Sequence, residues 1–151
     1  MIKITEKLYR GSRPHDIRDL IADGFQQVIN LQSGAEDFWT DSLYEAQLLS
    51  KRSDHTLYPQ IKVVYIRCPD LTPPSPIQVS AFLSAASNGL KTLAHCHSGV
   101  DRTGFMVAVY RMAKMGESFD DAYDDWVDQG RHWWYDWWKF QMKIYSSIFK
   151  E

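Results

Sequence analysis

Apolar residues in this chain fall into short runs separated by polar, turn-rich stretches, and two periods alternate along it. Residues 62–67 (Lys-Val-Val-Tyr-Ile-Arg) are rich in β-branched and aromatic side chains and predict a strand. So do residues 26–31, around Val28 and Ile29, and residues 92–95. Residues 2–4 and 8–10 predict short extended pieces. Helical spacing fills the segments between. It covers 14–23, opened by Pro14 and stopped by Gly24; 41–52, with Leu43, Ala46 and Leu49 recurring; and 77–88, ended by Gly89. It returns over 103–115, ended by Gly116, then 118–129, where Ser118 and Asp121 resemble a shortened capping box, and finally 133–149. Residues 32–40 and the four-proline segment 68–76 read as loops. No linker, repeat or low-complexity tract breaks this order, so 1–151 reads as one domain. Strands alternating with helices predict an α/β fold, a central and mostly parallel sheet flanked by helices. In such sheets ligands sit beyond the carboxyl ends of the strands.

Composition narrows the function. With 151 residues, 44% of them apolar and 24% charged, the chain can bury a proper core. A formal net charge of -2 argues against a general nucleic-acid partner, which calls for a basic excess. The first ten residues lack the apolar segment of a signal peptide, and no apolar run approaches the length of a membrane span. The two cysteines, Cys68 and Cys96, form no C-x-x-C pair, no disulfide framework and no zinc site. A reducing, cytoplasmic setting is expected, with no cofactor and no metal.

The densest chemistry lies in His95-Cys96-His97-Ser98-Gly99-Val100-Asp101-Arg102-Thr103-Gly104, between the strand at 92–95 and the helix at 103–115. A loop from a strand into a helix can aim several backbone N–H groups at one point, and the helix dipole adds to their field. Such a loop binds anions, and it favours the thiolate, which is the reactive form of cysteine. An arginine at its far end can grip two phosphate oxygens with one planar fork. The chemistry implied is attack of Cys96 on a phosphate ester.

The motif His-Cys-x-x-Gly-x-x-Arg-Thr-Gly resembles that of the cysteine-based protein tyrosine phosphatase superfamily, especially its small dual-specificity-like members. The resemblance extends to Leu8-Tyr9-Arg10-Gly11-Ser12-Arg13-Pro14 and to an upstream Asp-containing loop. It implies a tyrosine-phosphatase-like fold and a metal-independent phosphomonoester hydrolase with a phosphocysteine intermediate. Cys96 matches the nucleophile and Arg102 the phosphate binder. Gly99 lets loop amides turn inward, and Thr103 matches a hydroxyl that helps the thiolate leave. His97, Ser98, Val100 and Asp101 complete the substrate-facing loop. His95 either orients the loop from behind or is a satisfied core histidine.

The leaving group needs a proton, and two carboxyls compete to supply it. Asp70, in Cys68-Pro69-Asp70-Leu71-Thr72-Pro73-Pro74, lies 26 residues before Cys96 and resembles the family's movable Pro-Asp loop. Asp101 lies inside the cysteine loop, where some bacterial relatives acting on phosphoinositides also carry Asp-Arg, but with Lys where Val100 stands here. So close to a bound phosphate its charge would be repulsive unless protonated or turned away, and as a structural residue it would be a loop-stabilising carboxylate at the helix start. Asp70 is therefore the expected acid and base.

The substrate is read as a phosphoprotein or an inositol polyphosphate. Arg10 and Arg13 lie in a segment that resembles one beside the cysteine loop in small phosphatases and phytase-like inositol phosphatases. They would hold further phosphates or be solvated surface cations. Lys62, Arg67, Arg131, His132 and Lys139 are further rim candidates. Trp133, Trp134, Trp137 and Trp138 cannot all share one helix face, so most should pack the core and its edge. The acidic run from Asp120 to Asp128 reads as a solvated face. Cys68 is a buried structural thiol or an oxidation partner for Cys96. A non-catalytic phosphate-binding module, or a sulfur-transfer or arsenate-reducing enzyme, would use a similar loop.

Overall fold

The computed structural model describes residues 1–33, 42–69, 71–97, 100–132 and 135–149. The strands are Ile2–Lys3 (β1), Leu8–Gly11 (β2), Gln27–Asn30 (β3), Lys62–Tyr65 (β4) and Thr92–His95 (β5). The helices among these residues are Ile17–Ala22 (α1), Leu43–Ser53 (α2), Pro76–Ala86 (α3), Arg102–Lys114 (α4), Phe119–Asp128 (α5) and Trp138–Ile148 (α6). One sheet runs in the order β1-β2-β5-β3-β4. Only β1 is antiparallel; β2, β5, β3 and β4 are parallel.

The central strands β3 and β5 are buried along their whole length, as the middle of a doubly covered parallel sheet must be. The two-residue period sorts their side chains onto two faces. Ile29 and Ala94 join Phe82, Phe105, Trp126 and Trp138 in one core, under α3 to α6. Val28 and Leu93 join Ile17, Leu20, Tyr44 and Leu48 in a second, under α1 and α2. The sheet is thus the middle of three layers, as the alternation of strands and helices predicts.

Several helix boundaries differ from the sequence reading, and side-chain caps explain most of the differences. The first helix starts at Ile17, not at Pro14, because the Asp16 carboxylate accepts from the Arg18 amide and fixes the start there. Ser42 caps α2 by accepting from the Glu45 amide. Ser75 and Gln78 close a full capping box over α3, with Pro76 at its first position. The expected last helix over 133–149 begins only at Trp138. Tyr135 and Lys139 make three-residue turns to His132 and Asp136, and Trp133 and Trp134 lie outside the described residues. Trp138 is wholly buried, whereas Trp137 is exposed. The acidic face is not simply solvated either, since Asp125 approaches both Arg10 and Arg111.

Candidate active site

Register brings the chemistry together. Gly11, His95, Asn30 and Tyr65 stand level, one at the carboxyl end of each parallel strand. The segments leaving these four ends therefore emerge along one edge of the sheet and knit to one another. The Arg13 amide donates to the His97 carbonyl (3.0 Å), Leu31 to His95 (2.8 Å), and Cys68 to Leu31 (3.4 Å). Cys96 follows β5 directly and is buried.

His95 lies behind the loop with no exposed surface. Its Nδ1 is 2.9 Å from the Cys96 carbonyl, which can only accept, so Nδ1 carries a hydrogen; Nε2 lies 2.7 Å from the Tyr44 hydroxyl. Both sequence readings of His95 hold at once: it is a satisfied core residue, and it fixes the peptide that follows Cys96. Tyr44 lies 51 residues from His95, and no local signal in the sequence marks it as part of the site.

Arg102 opens α4 and is buried; its Nη1 donates to the Cys68 carbonyl (3.1 Å). The segment that leaves β4 is thus tied, at Cys68, to the helix that follows the cysteine loop. On the other flank of that segment, Tyr145 of α6 donates to the Pro74 carbonyl. Asp70 itself, with Ser98 and Gly99 of the cysteine loop, lies outside the described residues. Thr103 is fully buried, and its Oγ1 has no hydrogen-bond partner among the described residues. His97 is exposed and Val100 half-exposed. A cavity of about 300 Å³ lies beside Val100, reached by Arg10, Ser12 and Gln129.

The Asp101 carboxylate, read as a loop-stabilising group at the helix start, is held there by His132 and not by the helix amides. Asp101 precedes α4, but its side chain makes no cap bond. Its Oδ1 accepts from the His132 amide (2.8 Å), and its Oδ2 lies 2.6 Å from the His132 Nδ1. The Asp101 carbonyl also accepts from the Trp126 indole (3.0 Å). Neither Trp126 nor the Asp101–His132 pairing is legible beforehand, although His132 stands among the rim candidates.

The basic residues divide. Arg10 is only 2% exposed and approaches Asp125 at 3.9 Å. Burial lowers its guanidinium from the usual value, and Asp125, then the nearby Cys96 sulfur, oppose that. Arg10 is therefore an interior cation under the loop and not a solvated surface residue. Arg13 is partly exposed, with Nη1 3.9 Å from Glu45. Arg131 pairs with Asp136 and donates to the Tyr123 hydroxyl. Arg67 donates to the Gln32 carbonyl, and Lys139 lies over the Tyr123 ring. Both cysteines are free, and burial pushes the Cys68 thiol up to about 12. Among the described residues no cluster of three metal-ligating side chains occurs, and no helix is long and apolar enough to cross a membrane.

A five-stranded sheet of this order, with a Cys-to-Arg loop leading from its central strand into a helix, defines the small cysteine-based, tyrosine-phosphatase-like phosphatases. Residues 3–131 match the family described as PTP-NADK, a DSP-PTPase phosphatase fused to NAD+ kinase, and the chain belongs to that family. Solved structures share the fold. Tk-PTP in its active form is 23% identical, with a TM-score of 0.70 over 96% of this chain and 95% of its own. The core catalytic domain of the PP-IP phosphatase SIW14 from S. cerevisiae is 14% identical, with a TM-score of 0.71 over 95% and 83%. The human tyrosine phosphatase-like serine/threonine/tyrosine-interacting protein is 16% identical, with a TM-score of 0.65 over 97% and 95%. No curated protein sequence matches the chain.

Proposed function

We propose that this chain is a cysteine-dependent phosphomonoester hydrolase. The observation that carries the reading is Cys96 at the carboxyl end of the central strand β5, with Arg102 opening the helix that leaves the same loop. The Cys96 thiolate attacks phosphorus, and the bond to the leaving oxygen breaks. Arg102 and loop amides from His97 to Asp101 hold the equatorial oxygens, where charge must be stabilised in the transition state. Asp70 gives its proton to the leaving oxygen. It then takes one from water, which attacks phosphorus and frees the thiolate and inorganic phosphate. Thr103 offers the departing sulfur a buried hydroxyl with no other partner among the described residues. The reaction needs no metal and no cofactor, and its thiolate suits a reducing, cytoplasmic setting.

Asp70 is preferred over Asp101 because the Asp101 carboxylate is already held by two donors of His132. The substrate class is a phosphoprotein or an inositol polyphosphate. Arg13, beside the His97 carbonyl and partly exposed, is the better placed of the two N-terminal arginines for a second phosphate, since Arg10 faces inward. The yeast relative is described as a PP-IP phosphatase, which keeps the inositol reading in play. A non-catalytic phosphate-binding module is the weaker alternative, because the nucleophile, the arginine and an Asp loop are all present.

The test is release of p-nitrophenol from p-nitrophenyl phosphate without added metal. The wild-type chain should turn over and be inhibited by vanadate, and Cys96→Ser should be inactive. Undiminished turnover by Cys96→Ser would sink the reading. Phosphotyrosine and phosphothreonine peptides and inositol hexakisphosphate, at equal concentration, then separate the substrate classes.

A further inference from the structure

The cysteine loop ends in an acidic residue, Asp101, immediately before the arginine that would bind phosphate. A free carboxylate there would oppose an incoming phosphate. It would also compete for the first amides of α4, as Asp at a helix start ordinarily does. The carboxylate makes no bond to the α4 amides; instead His132, in the corner between α5 and α6, takes both its oxygens. The residue is fixed at its backbone too. Its carbonyl accepts from the Trp126 indole of α5 and from the Phe105 amide of α4. The corner is braced in turn, since Arg131 pairs with Asp136 and with the Tyr123 hydroxyl. Asp101 is 6% exposed and the His132 side chain 47%, so a buried charge is held by a group that reaches the surface.

We infer that His132 is a positioning residue for the phosphate site: it draws the Asp101 carboxylate away from the helix start and thereby sets the direction in which Arg102 enters the loop. This rests on the phosphatase reading for its role in turnover, and the geometry extends that reading to a residue outside the loop. Loss of the imidazole donor frees one carboxylate oxygen to swing toward the α4 amides or the incoming phosphate. Turnover then falls because the anion site is misshaped, not because the chain unfolds.

The test compares wild type, His132→Leu, His132→Asn and Cys96→Ser. Asparagine carries an amide N–H where the imidazole carries Nδ1, whereas leucine fills the space without a donor. His132→Leu should lower kcat/KM roughly 10–100-fold, the loss expected of a misplaced catalytic group, with melting still far above the assay temperature. His132→Asn should recover most of it. Activity of His132→Leu within about twofold of wild type would overturn the inference and leave the phosphatase reading intact, provided Cys96→Ser is dead. Failure of His132→Asn to recover activity would also overturn it, by showing that the donor is not what matters. If Cys96→Ser remains active, the phosphatase reading fails, and affinity for inorganic phosphate, measured by calorimetry, decides the positioning role. Weaker binding by His132→Leu supports it, and equal binding overturns it.

Discussion

Gly104→Ala reverses an ordinary rule and exposes how the cysteine loop is supported. Alanine in a helix interior usually gains about 1 kcal/mol over glycine. Here a Cβ at position 104 would lie 2.4 Å from Trp126 Cδ1, 2.8 Å from Trp126 Nε1 and 3.0 Å from Arg10 Nη2. Trp126 cannot easily withdraw, because it is wholly buried, stacked on Trp138 and edge-on to Phe105. Restoring a normal carbon contact of roughly 3.5–4.0 Å means moving the indole by about an ångström. That movement gives up the 3.0 Å bond from its Nε1 to the Asp101 carbonyl. Overpacking of this kind costs about 1–3 kcal/mol, and the lost hydrogen bond about 0.5–1.5 kcal/mol more. After the helix gain is subtracted, a net destabilisation of roughly 1–3 kcal/mol remains. In a chain of this length that lowers Tm by about 3–10 °C. Thermal unfolding followed by circular dichroism measures it. An unchanged or raised Tm would refute the reasoning, since it would mean that the space above Gly104 is open and Trp126 does not brace the loop.

Other consequences are separately measurable. Tyr44→Phe removes the hydroxyl 2.7 Å from His95 Nε2 and should cost about 1–2 kcal/mol in urea unfolding; no loss would show that His95 needs no such partner. Burial pushes the Cys68 thiol up to about 12, so brief iodoacetamide treatment of the native chain at pH 8 should leave Cys68 unlabelled, and rapid labelling there would contradict its burial. The same shift gives a pH dependence. The folded chain keeps the Cys68 proton where the unfolded chain has begun to lose it, so this contribution is intact below the ordinary value of 9.0 and is lost as pH rises from there toward about 12. Cys68→Ala should therefore show a shallower alkaline fall in urea midpoint than wild type; identical slopes would argue against it.

Much of the fold was legible in the sequence because its signals are local. The β-branched run at Val63 and Val64 and the run from Thr92 through Cys96 into α4 carry their own period and punctuation. Legibility failed where a boundary depends on something the pattern does not weigh. Pro14 suggests a helix start, but the Asp16 carboxylate, which also accepts from Gln47 of α2, sets it later. The tryptophan run before α6 has no capping side chain to mark where the helix begins. In the site, Cys96, Arg102 and Thr103 follow from one contiguous motif, whereas their supports come from afar. Tyr44, Trp126 and His132 lie 51, 25 and 31 residues from the groups they hold, and only packing of the layers brings them there. Arg10 was legible in principle: it alternates with Leu8 along β2, and the strand period puts both on the buried face.

The central claim is that Cys96 forms a covalent bond to phosphorus. Rapid acid quench of the wild-type chain during turnover of p-nitrophenyl phosphate, followed by tandem mass spectrometry of the peptide spanning residues 92–102, tests it most directly. The account predicts one phosphoryl group on the Cys96 sulfur, present in turnover and absent when vanadate is added first. Steady turnover with no phosphoryl group on Cys96, or with the group on another residue, would contradict it.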